Sequence, residues 1–288
     1  MRRLIINADD FGLTAGVNRA IVEAHSHGVV TSTTLMANVP AFDDAVQRAI
    51  LSPKISVGCH VMLVDGSPIL GGSRAASLID PHSTNGTRFR ESLGGFAANV
   101  LLSRIDAEAI EAEATAQIRK LQSAGITVSH FDTHKHTHML PAVLRPLLRA
   151  AKVCGIHAVR NPFTPWLPIL VPPRAWKRCL EVRALHKLAG AFRRIAAGHD
   201  MLTPDGTFGI AAAGDLSLEL FQRIVERLPE GTWEFVCHPG YHDGELDKTR
   251  TRLRESRVKE LKILTSAAAR QALARCGVEL ISYRDFAA

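Results

Sequence analysis

Four histidines crowd into one short stretch of the chain, "HFDTHKHTHML". They are His130, His134, His136 and His138. An imidazole can bind a divalent metal ion, carry a proton near neutral pH or donate and accept hydrogen bonds. The stretch could therefore be a metal site, a proton relay, a polar wall that faces a substrate, or surface composition without a role. Three ligands of one ion cannot be assumed to come from this segment alone.

Further ligand-type side chains recur at the ends of the predicted strands. They are Asp9 and Asp10 after the first strand, His60 on the third, Asp132 and His134 on the fourth, and His238 on the penultimate strand. The carboxyl ends of parallel strands meet at one face of a sheet or barrel, and ligand sites lie at that face. We therefore expect these side chains to come together in the folded protein.

The adjacent carboxylates of Asp9 and Asp10 are costly to bury unless a positive charge lies beside them. Successive residues of a strand point in opposite directions, so we expect one carboxylate to bind a cation and the other to act as a general base. A plain turn before Phe11 and Gly12 is the alternative. Imidazole and carboxylate ligands together favour zinc or a similar divalent ion, which lowers the pKa of water to about 7.

The elements that would position these residues alternate along the chain. Predicted strands are "RLIINAD", "TSTTLMAN", "ISVGCHVML", "ITVSHFDTH", "IHAVRNP", "TFGI" and "TWEFVCHPG", and "VELISYRDF" closes the chain. Predicted helices cover residues 15–27, 42–51, 106–123, 141–154, 217–228 and 253–276, and residues 64–100 are expected to be long loops at the rim of a site. This α/β rhythm predicts a distorted (β/α) barrel of about seven parallel strands, with an open doubly wound sheet as the alternative.

The 46% hydrophobic and 22% charged residues are ordinary for a globular protein, and a length of 288 residues suits one large α/β domain or two small ones. The five cysteines contain no CxxC pair, so neither a disulfide framework nor a cysteine zinc site is expected. The chain has no apolar run long enough for a secretory signal or for a bilayer span of roughly 20 residues. We therefore expect a cytoplasmic protein. No GxGxxG follows the first strand, which argues against a dinucleotide-dependent enzyme.

Within an insertion at about residues 163–205, the segment from Arg174 to Arg194 carries seven basic residues and one acid, which is most of the net charge of +7. The apolar part of the insertion includes Trp166 and Trp176, and Lys177 and Arg178 follow directly. Tryptophan and aliphatic residues beside basic ones are typical of an element that lies on an anionic membrane, here the inner face of the cytoplasmic membrane. A lid or a homodimer contact with a solvated basic face is the alternative. A nucleic-acid partner is not expected, because no recognised binding motif accompanies the charge.

Several motifs in a fixed order resemble those of a known family. They are "NADDFGLTAGVNRAI", "VTSTTLMANV", "VGCHVMLVDGSPI", "FDTHKHTHMLP", "VRNP", "FVCHPGYHD" and "RESRVKELKIL". These motifs resemble those of the YdjC/ChbG family of carbohydrate deacetylases, and the resemblance runs from the first strand to the last predicted helix. The basic insertion resembles, more narrowly, the hopanoid-associated HpnK branch. The resemblance implies one deacetylase domain over residues 1–288.

The resemblance also implies roles for particular residues. Asp10, His60 and His134 would bind a divalent ion, with zinc the first expectation and magnesium or another ion the alternative. Asp9 would be the general base that deprotonates a water molecule. His238 would be the general acid that protonates the leaving amine.

Other residues near the motifs keep open roles. Arg160 could hydrogen-bond a sugar or phosphate, or form a structural salt bridge. Asp132 could contact the substrate or orient a ligating histidine, and His136 is expected at the pocket wall. His138 is expected there too or in packing, and His130 as a strand residue.

The implied reaction is hydrolysis of an N-acetyl group on an amino sugar. The hydrophobic and basic insertion favours an N-acetylglucosaminyl hopanoid, a glycolipid, as the substrate. Soluble chito-oligosaccharides are the first alternative. The others are another metal-dependent amide or phosphoester hydrolase and a noncatalytic membrane-associated binding protein.

Overall fold

A curled parallel sheet carries the site. The structure, a computed structural model, describes residues 1–83, 86–164 and 186–288. In these ranges seven strands form the sheet: β1 Arg2–Phe11, β2 Ser32–Leu35, β3 Ser56–Val61, β4 Val128–Thr133, β5 Gly206–Phe208, β6 Gly231–Cys237 and β7 Val278–Leu280. Their order is β4-β3-β2-β1-β6-β5, and β7 pairs with the start of β1 on Arg2–Leu4. Each of these pairings is parallel.

An irregular segment spans the space between β4 and β5 of the curled sheet. Val159 bridges to Phe131 of β4, and Ala158 bridges to Leu202. Further along, Thr207 of β5 donates its N–H to the carbonyl of Phe163 at 3.2 Å. The segment predicted as the strand "IHAVRNP" therefore makes isolated bridges instead of a regular ladder. The predicted distorted barrel is confirmed.

Helices follow the strands in an order close to the predicted one. They are α1 Ala15–Ser26, α2 Phe42–Leu51, α3 Leu93–Leu101, α4 Ala107–Ser123, α5 Pro141–Val153, α6 Ala189–Ala197, α7 Leu218–Glu226, α8 Gly244–Lys248, α9 Glu255–Leu264, α10 Ala267–Arg275 and α11 Tyr283–Ala287. Short 3₁₀ turns lie at Gly72–Ala75, His134–Met139 and His186–Leu188. Side chains of Thr14, Asp106 and Ser217 accept N–H groups at the starts of α1, α4 and α7.

Two secondary-structure predictions were wrong in detail, one of a loop region and one of a helix. Residues 64–100 are not loop throughout, because Ser92 caps α3, which buries Phe96 and Val100 despite the Gly94–Gly95 pair in its first turn. The long helix predicted over residues 253–276 is two helices. The first ends at Leu264, and Ser266 caps the start of the second, since its side chain accepts the N–H of Ala269 at 3.1 Å.

The insertion is only partly described. Trp166, Trp176, Lys177 and Arg178 lie outside the described residues. Within the described part, α6 packs on the barrel, and Phe192 is 1% exposed with its ring 5.7 Å from that of Phe163. Among the described helices, none is long and apolar enough to cross a membrane.

The C-terminal helix α11 closes the barrel at the amino ends of the strands. The ring of Tyr283 stacks on His130, with centroids 3.6 Å apart and planes 10° apart. Its hydroxyl donates to Glu234 Oε2 at 2.7 Å, and its N–H donates to Ser32 Oγ. His130, the first histidine of the cluster, is thus a packing residue. Its ring occupies the space above Gly58, where an added Cβ would lie 2.4 Å from His130 Cε1.

We predict that Gly58→Ala destabilises the protein by about 1–3 kcal/mol, because the new methyl group overlaps a buried ring that stacking holds in place. Chemical denaturation measures the free energy of unfolding. Gly94→Ala is the matched control, since its Cβ would meet only Ser92 Oγ at 3.8 Å on a helix. The control should be neutral or stabilising by up to about 1 kcal/mol. Equal effects of the two variants would contradict the account of Gly58.

Candidate functional site

Three predicted ligands meet at the carboxyl ends of the strands. Asp10 Oδ1 lies 3.7 Å from His60 Nε2 and 3.6 Å from His134 Nδ1. The two histidine nitrogens are 3.3 Å apart. Zinc bonds of about 2.0–2.1 Å in a tetrahedron put neighbouring ligand atoms about 3.3 Å apart. The spacing and the donor set therefore fit a divalent ion with a further open position.

A β-bulge brings Asp10 to this place. Ala8 of β1 pairs with Thr33, but Phe11 pairs with Leu35, so three steps along β1 match two along β2. Asp10 adopts a positive φ of 67°, a conformation that aspartate tolerates better than most residues. The expectation that the two aspartates point to opposite sides was wrong. With the extra residue in β1, both carboxylates lie near His60.

Asp132 orients the ring of His60. Its Oδ1 lies 2.6 Å from His60 Nδ1, and the carboxylate is completely buried. With Nδ1 engaged, Nε2 is the nitrogen that faces Asp10. Burial opposes protonation of His60, but Asp132, together with Asp9 and Asp10, raises the histidine pKa. Of the two roles considered for Asp132, this placement favours orientation of a histidine, and substrate contact stays a prediction.

His134 enters the site through a tight turn. Lys135 and His136 after it both have φ of 54°, which turns the chain away from β4. His134 Nε2 lies 3.6 Å from Asp65 Oδ2 on the side away from Asp10. Burial opposes protonation, yet Asp10 and Asp65 raise the pKa of His134 to about 9. Asp65 was missed in the sequence, although the "DG" pair directly after the third strand was a signal for a turn at the site.

The other histidines of the cluster lie outside the ligand triangle. His138 is buried, and its Nδ1 lies 2.6 Å from Thr133 Oγ1. His136 is half-buried, and burial lowers its pKa to about 3. Of this segment, only His134 lies in the triangle, and its role as a metal ligand stays a prediction. The pocket-wall role of His136 stays a prediction.

Arg160 lies at the centre of a buried ion-pair network. It is 0% exposed, donates to both oxygens of Asp9 at 2.8 and 2.6 Å, and donates from Nε to Glu234 Oε1 at 2.9 Å. It also contacts Asp132. Burial opposes ionisation of Asp9, but Arg160 outweighs it and holds the pKa of Asp9 well below its usual range. Arg160 therefore forms a structural salt bridge, one of the two roles considered for it. Its contact with a sugar or phosphate stays a prediction.

His238 lies on the other side of Asp9. Its Nε2 is 4.0 Å from Asp9 Oδ2, and its backbone N–H donates to Glu260 Oε2 at 2.6 Å. Burial lowers the pKa of His238 to about 4. The imidazole is therefore neutral near pH 7.

Arg257 and Glu260 come from one motif that was quoted without a role, "RESRVKELKIL". Arg257 Nη2 donates to Asp10 Oδ2 at 2.5 Å. Both residues are buried on α9. A pair of ionisable residues at i and i+3 on a helix was the available signal, but such pairs usually lie in solvent.

Several buried polar atoms around the site have no hydrogen-bond partner within the described ranges. They are His238 Nδ1, Arg257 Nη1, His136 Nδ1 and Asn7 Oδ1. Buried polar groups in native proteins are nearly always hydrogen-bonded. Their concentration here is typical of a site that completes its hydrogen bonds with water or a polar ligand.

We predict that Glu260→Gln becomes increasingly stabilising, relative to the wild type, as pH rises from about 5 to 8. Burial raises the pKa of Glu260 from its ordinary 4.5 to about 7. The folded state thus holds this proton more tightly than the unfolded state, so the wild type loses stability as pH rises through that interval. Denaturant unfolding at a series of pH values measures the difference. Glu279→Gln, on the exposed end of β7, is the control for removing a surface carboxylate. A difference that does not change with pH for Glu260→Gln would contradict the prediction.

Known proteins resemble the whole chain. The family model described as YdjC-like protein matches residues 3–275. Carbohydrate deacetylase 1 of Listeria innocua is 32% identical over 288 residues, which is 98% of this chain and 99% of the relative. A carbohydrate deacetylase of Brevibacillus brevis is 34% identical over 284 residues, again 98% of this chain and 99% of the relative.

Solved structures share the fold. A protein of Enterococcus faecalis described as a cellobiose-phosphate cleavage protein superposes with a TM-score of 0.80 at 27% identity, over 100% of this chain and 99% of that one. The lactam utilization protein of Thermus thermophilus, at 14% identity and a TM-score of 0.54, covers 97% of this chain and 99% of its own, and shows likeness of fold alone. Because the family model and the relatives span nearly the full length, the chain belongs to the YdjC-like family.

Proposed function

We propose that this YdjC-like protein is a carbohydrate deacetylase that hydrolyses the N-acetyl group of an amino sugar. The observation that carries the proposal is the triangle of Asp10, His60 and His134, whose ligand atoms are 3.3–3.7 Å apart. Asp9 and His238 lie directly beside it as a base and an acid. Full-length relatives named carbohydrate deacetylases support the substrate class.

The triangle would hold a divalent ion, and zinc is the best match to one carboxylate and two imidazoles. Such an ion supplies a Lewis acid that polarises the acetyl carbonyl and makes water more acidic. Asp132 keeps His60 in the tautomer with Nε2 free for the ion. Arg257 leaves Oδ1 of Asp10 facing the two histidines.

Asp9 takes the proton of the attacking water. Arg160 fixes both of its oxygens, so the carboxylate has one orientation. The low pKa of Asp9 makes it a weak base that releases the proton as readily as it accepts it. The reaction therefore needs a second group that can receive this proton and deliver it to nitrogen.

His238 is that second group. It is neutral at the start, because burial lowers its pKa to about 4. Its Nε2 lies 4.0 Å from Asp9 Oδ2, a gap that a bound substrate or a water molecule can bridge. Once protonated, such an imidazole is a strong acid and gives its proton to the leaving amine as the C–N bond breaks. The products are acetate and the free amino sugar.

We further propose an N-acetylglucosaminyl glycolipid of the hopanoid type as the substrate, acted on at an anionic membrane. The support is the sequence of the insertion, where Trp166 and Trp176 accompany Lys177 and Arg178. The resemblance to the HpnK branch points the same way. Soluble chito-oligosaccharides are the alternative substrates, and a homodimer contact is the alternative role of the insertion.

We predict that Asp9→Asn lowers kcat by about 10²–10⁴-fold while zinc binding persists, because the base is lost and the ligands remain. Asp10→Asn should lose both activity and zinc. Acetate release from N-acetylglucosamine conjugates measures turnover, and elemental analysis measures the bound ion. Chelation should abolish acetate release, and added zinc should restore it.

The same assay separates the rival functions. A binding protein without catalysis predicts no acetate release and an unchanged function in Asp9→Asn. A phosphoester hydrolase predicts phosphate release from phosphorylated sugars and none of acetate. Either pattern would contradict the proposed deacetylase.

We predict that combined replacement of Trp166 and Trp176 by Ala, and of Lys177 and Arg178 by Glu, abolishes binding to anionic liposomes. Hydrolysis of a small soluble N-acetyl sugar should persist, and mass spectrometry of the glycolipid should show retained acetyl. Substitution is preferable to deleting residues 165–195, because Phe192 of α6 is part of the core.

The matched control for this variant combines Leu51→Ala with Lys54→Glu. Both residues are exposed just before β3, at the end of the barrel opposite the site. The control should bind liposomes like the wild type. Undiminished liposome binding by the insertion variant would show that the membrane proposal is wrong.

A further inference from the structure

Two buried arginines contact the adjacent aspartates differently. Arg160 donates to both oxygens of Asp9, from Nη1 to Oδ2 at 2.8 Å and from Nη2 to Oδ1 at 2.6 Å. Arg257 donates to one oxygen of Asp10, from Nη2 to Oδ2 at 2.5 Å. In the described part of the chain no guanidinium contacts Asp10 Oδ1, which faces His60 and His134 at 3.7 and 3.6 Å.

Arg257 is held in one position by its surroundings. Its Nε donates to the carbonyl of Leu253 at 3.1 Å, and the residue is 1% exposed. Its side chain packs under Gly240 in the turn after β6, where an added Cβ would lie 2.8 Å from Arg257 Cδ. A guanidinium fixed at both its Nε and Nη2 ends restricts the rotation of the carboxylate that it contacts.

We propose that Arg257 is a positioning residue that holds Asp10 by Oδ2 so that Oδ1 faces the two histidines. The one-sided contact of Arg257 and the two-sided contact of Arg160 together determine that Asp10, and not Asp9, binds the ion. The inference rests on the proposed function, because it concerns ion binding at that centre.

Positioning and simple charge balance predict opposite effects of losing Arg257. A guanidinium near a bound cation repels it. If Arg257 only offset the charge of Asp10, an ion would replace it in the variant and would bind more tightly. If Arg257 fixes the carboxylate, its loss frees Asp10 to rotate, and the ion binds more weakly despite the lost repulsion.

The test measures the zinc dissociation constant by competition with a chromophoric chelator, without substrate or turnover. The variants are Arg257→Lys and Arg257→Gln in the full chain, with circular dichroism to confirm folding. Arg257→Lys retains the positive charge beside Asp10 but loses the guanidinium that is fixed at both Nε and Nη2. It therefore separates the effect of geometry from that of charge, and it is sufficient for the test if Arg257→Gln does not fold. Arg254→Gln is the control, because Arg254 is a partly exposed arginine three residues upstream that contacts Asp247.

We expect zinc to bind both Arg257 variants about 10–100-fold more weakly than the wild type, the usual cost of losing a residue that orients a metal ligand. The Arg254 control should bind zinc like the wild type. Variants that bind zinc as tightly as the wild type, or more tightly, would overturn the role of Arg257 and leave the proposed function intact. A wild-type protein that binds no divalent ion would instead overturn the proposed centre, and this inference with it.

Discussion

Excess buried negative charge is the constraint on which the rest of the site depends. Four carboxylates from Asp9, Asp10, Asp132 and Glu234 face two guanidinium groups, those of Arg160 and Arg257. The cluster therefore retains about two negative charges, which burial makes costly. This excess favours protons on His60 and His134, and the pKa values of both histidines are raised. A divalent ion would displace those protons and balance the same charge.

The barrel supplies charged partners from elements far apart in the chain. Arg160 comes from the irregular segment after α5, Glu234 from β6 and Arg257 from α9. Glu234 is held in turn by the hydroxyl of Tyr283 on the last helix. A hydrogen-bonded path thus runs from α11, at one end of the barrel, through Glu234 and Arg160 to Asp9 at the other. The C-terminal helix is part of the support of the site as well as a cover for the core.

The two arginines give the adjacent carboxylates of Asp9 and Asp10 different surroundings. Asp9 is held on both oxygens and is left as a group that accepts and releases protons. Asp10 is held on one oxygen and keeps the other for the histidines. The β-bulge makes this division workable, because it puts both side chains on the same side of the strand, within reach of His60. Their different surroundings, and not opposite strand faces, separate their roles.

Local sequence determined a large part of this protein. The alternation of elements predicted the barrel, and the positions of Asp10, His60 and His134 at the ends of their strands predicted that these side chains meet, because parallel strands deliver their carboxyl ends to one face. The choice of these three as ligands came from the family resemblance. Local signals also led to two wrong predictions. The glycines of residues 64–100 favoured a loop where α3 forms, and Ser266 was not recognised as a helix cap within residues 253–276. Only the tertiary structure decided the bulge at Asp10 and the partners Asp65, Glu234 and Arg257. Their roles depend on distances between segments that are remote in the chain, and the spacing of residues along the sequence does not specify those distances.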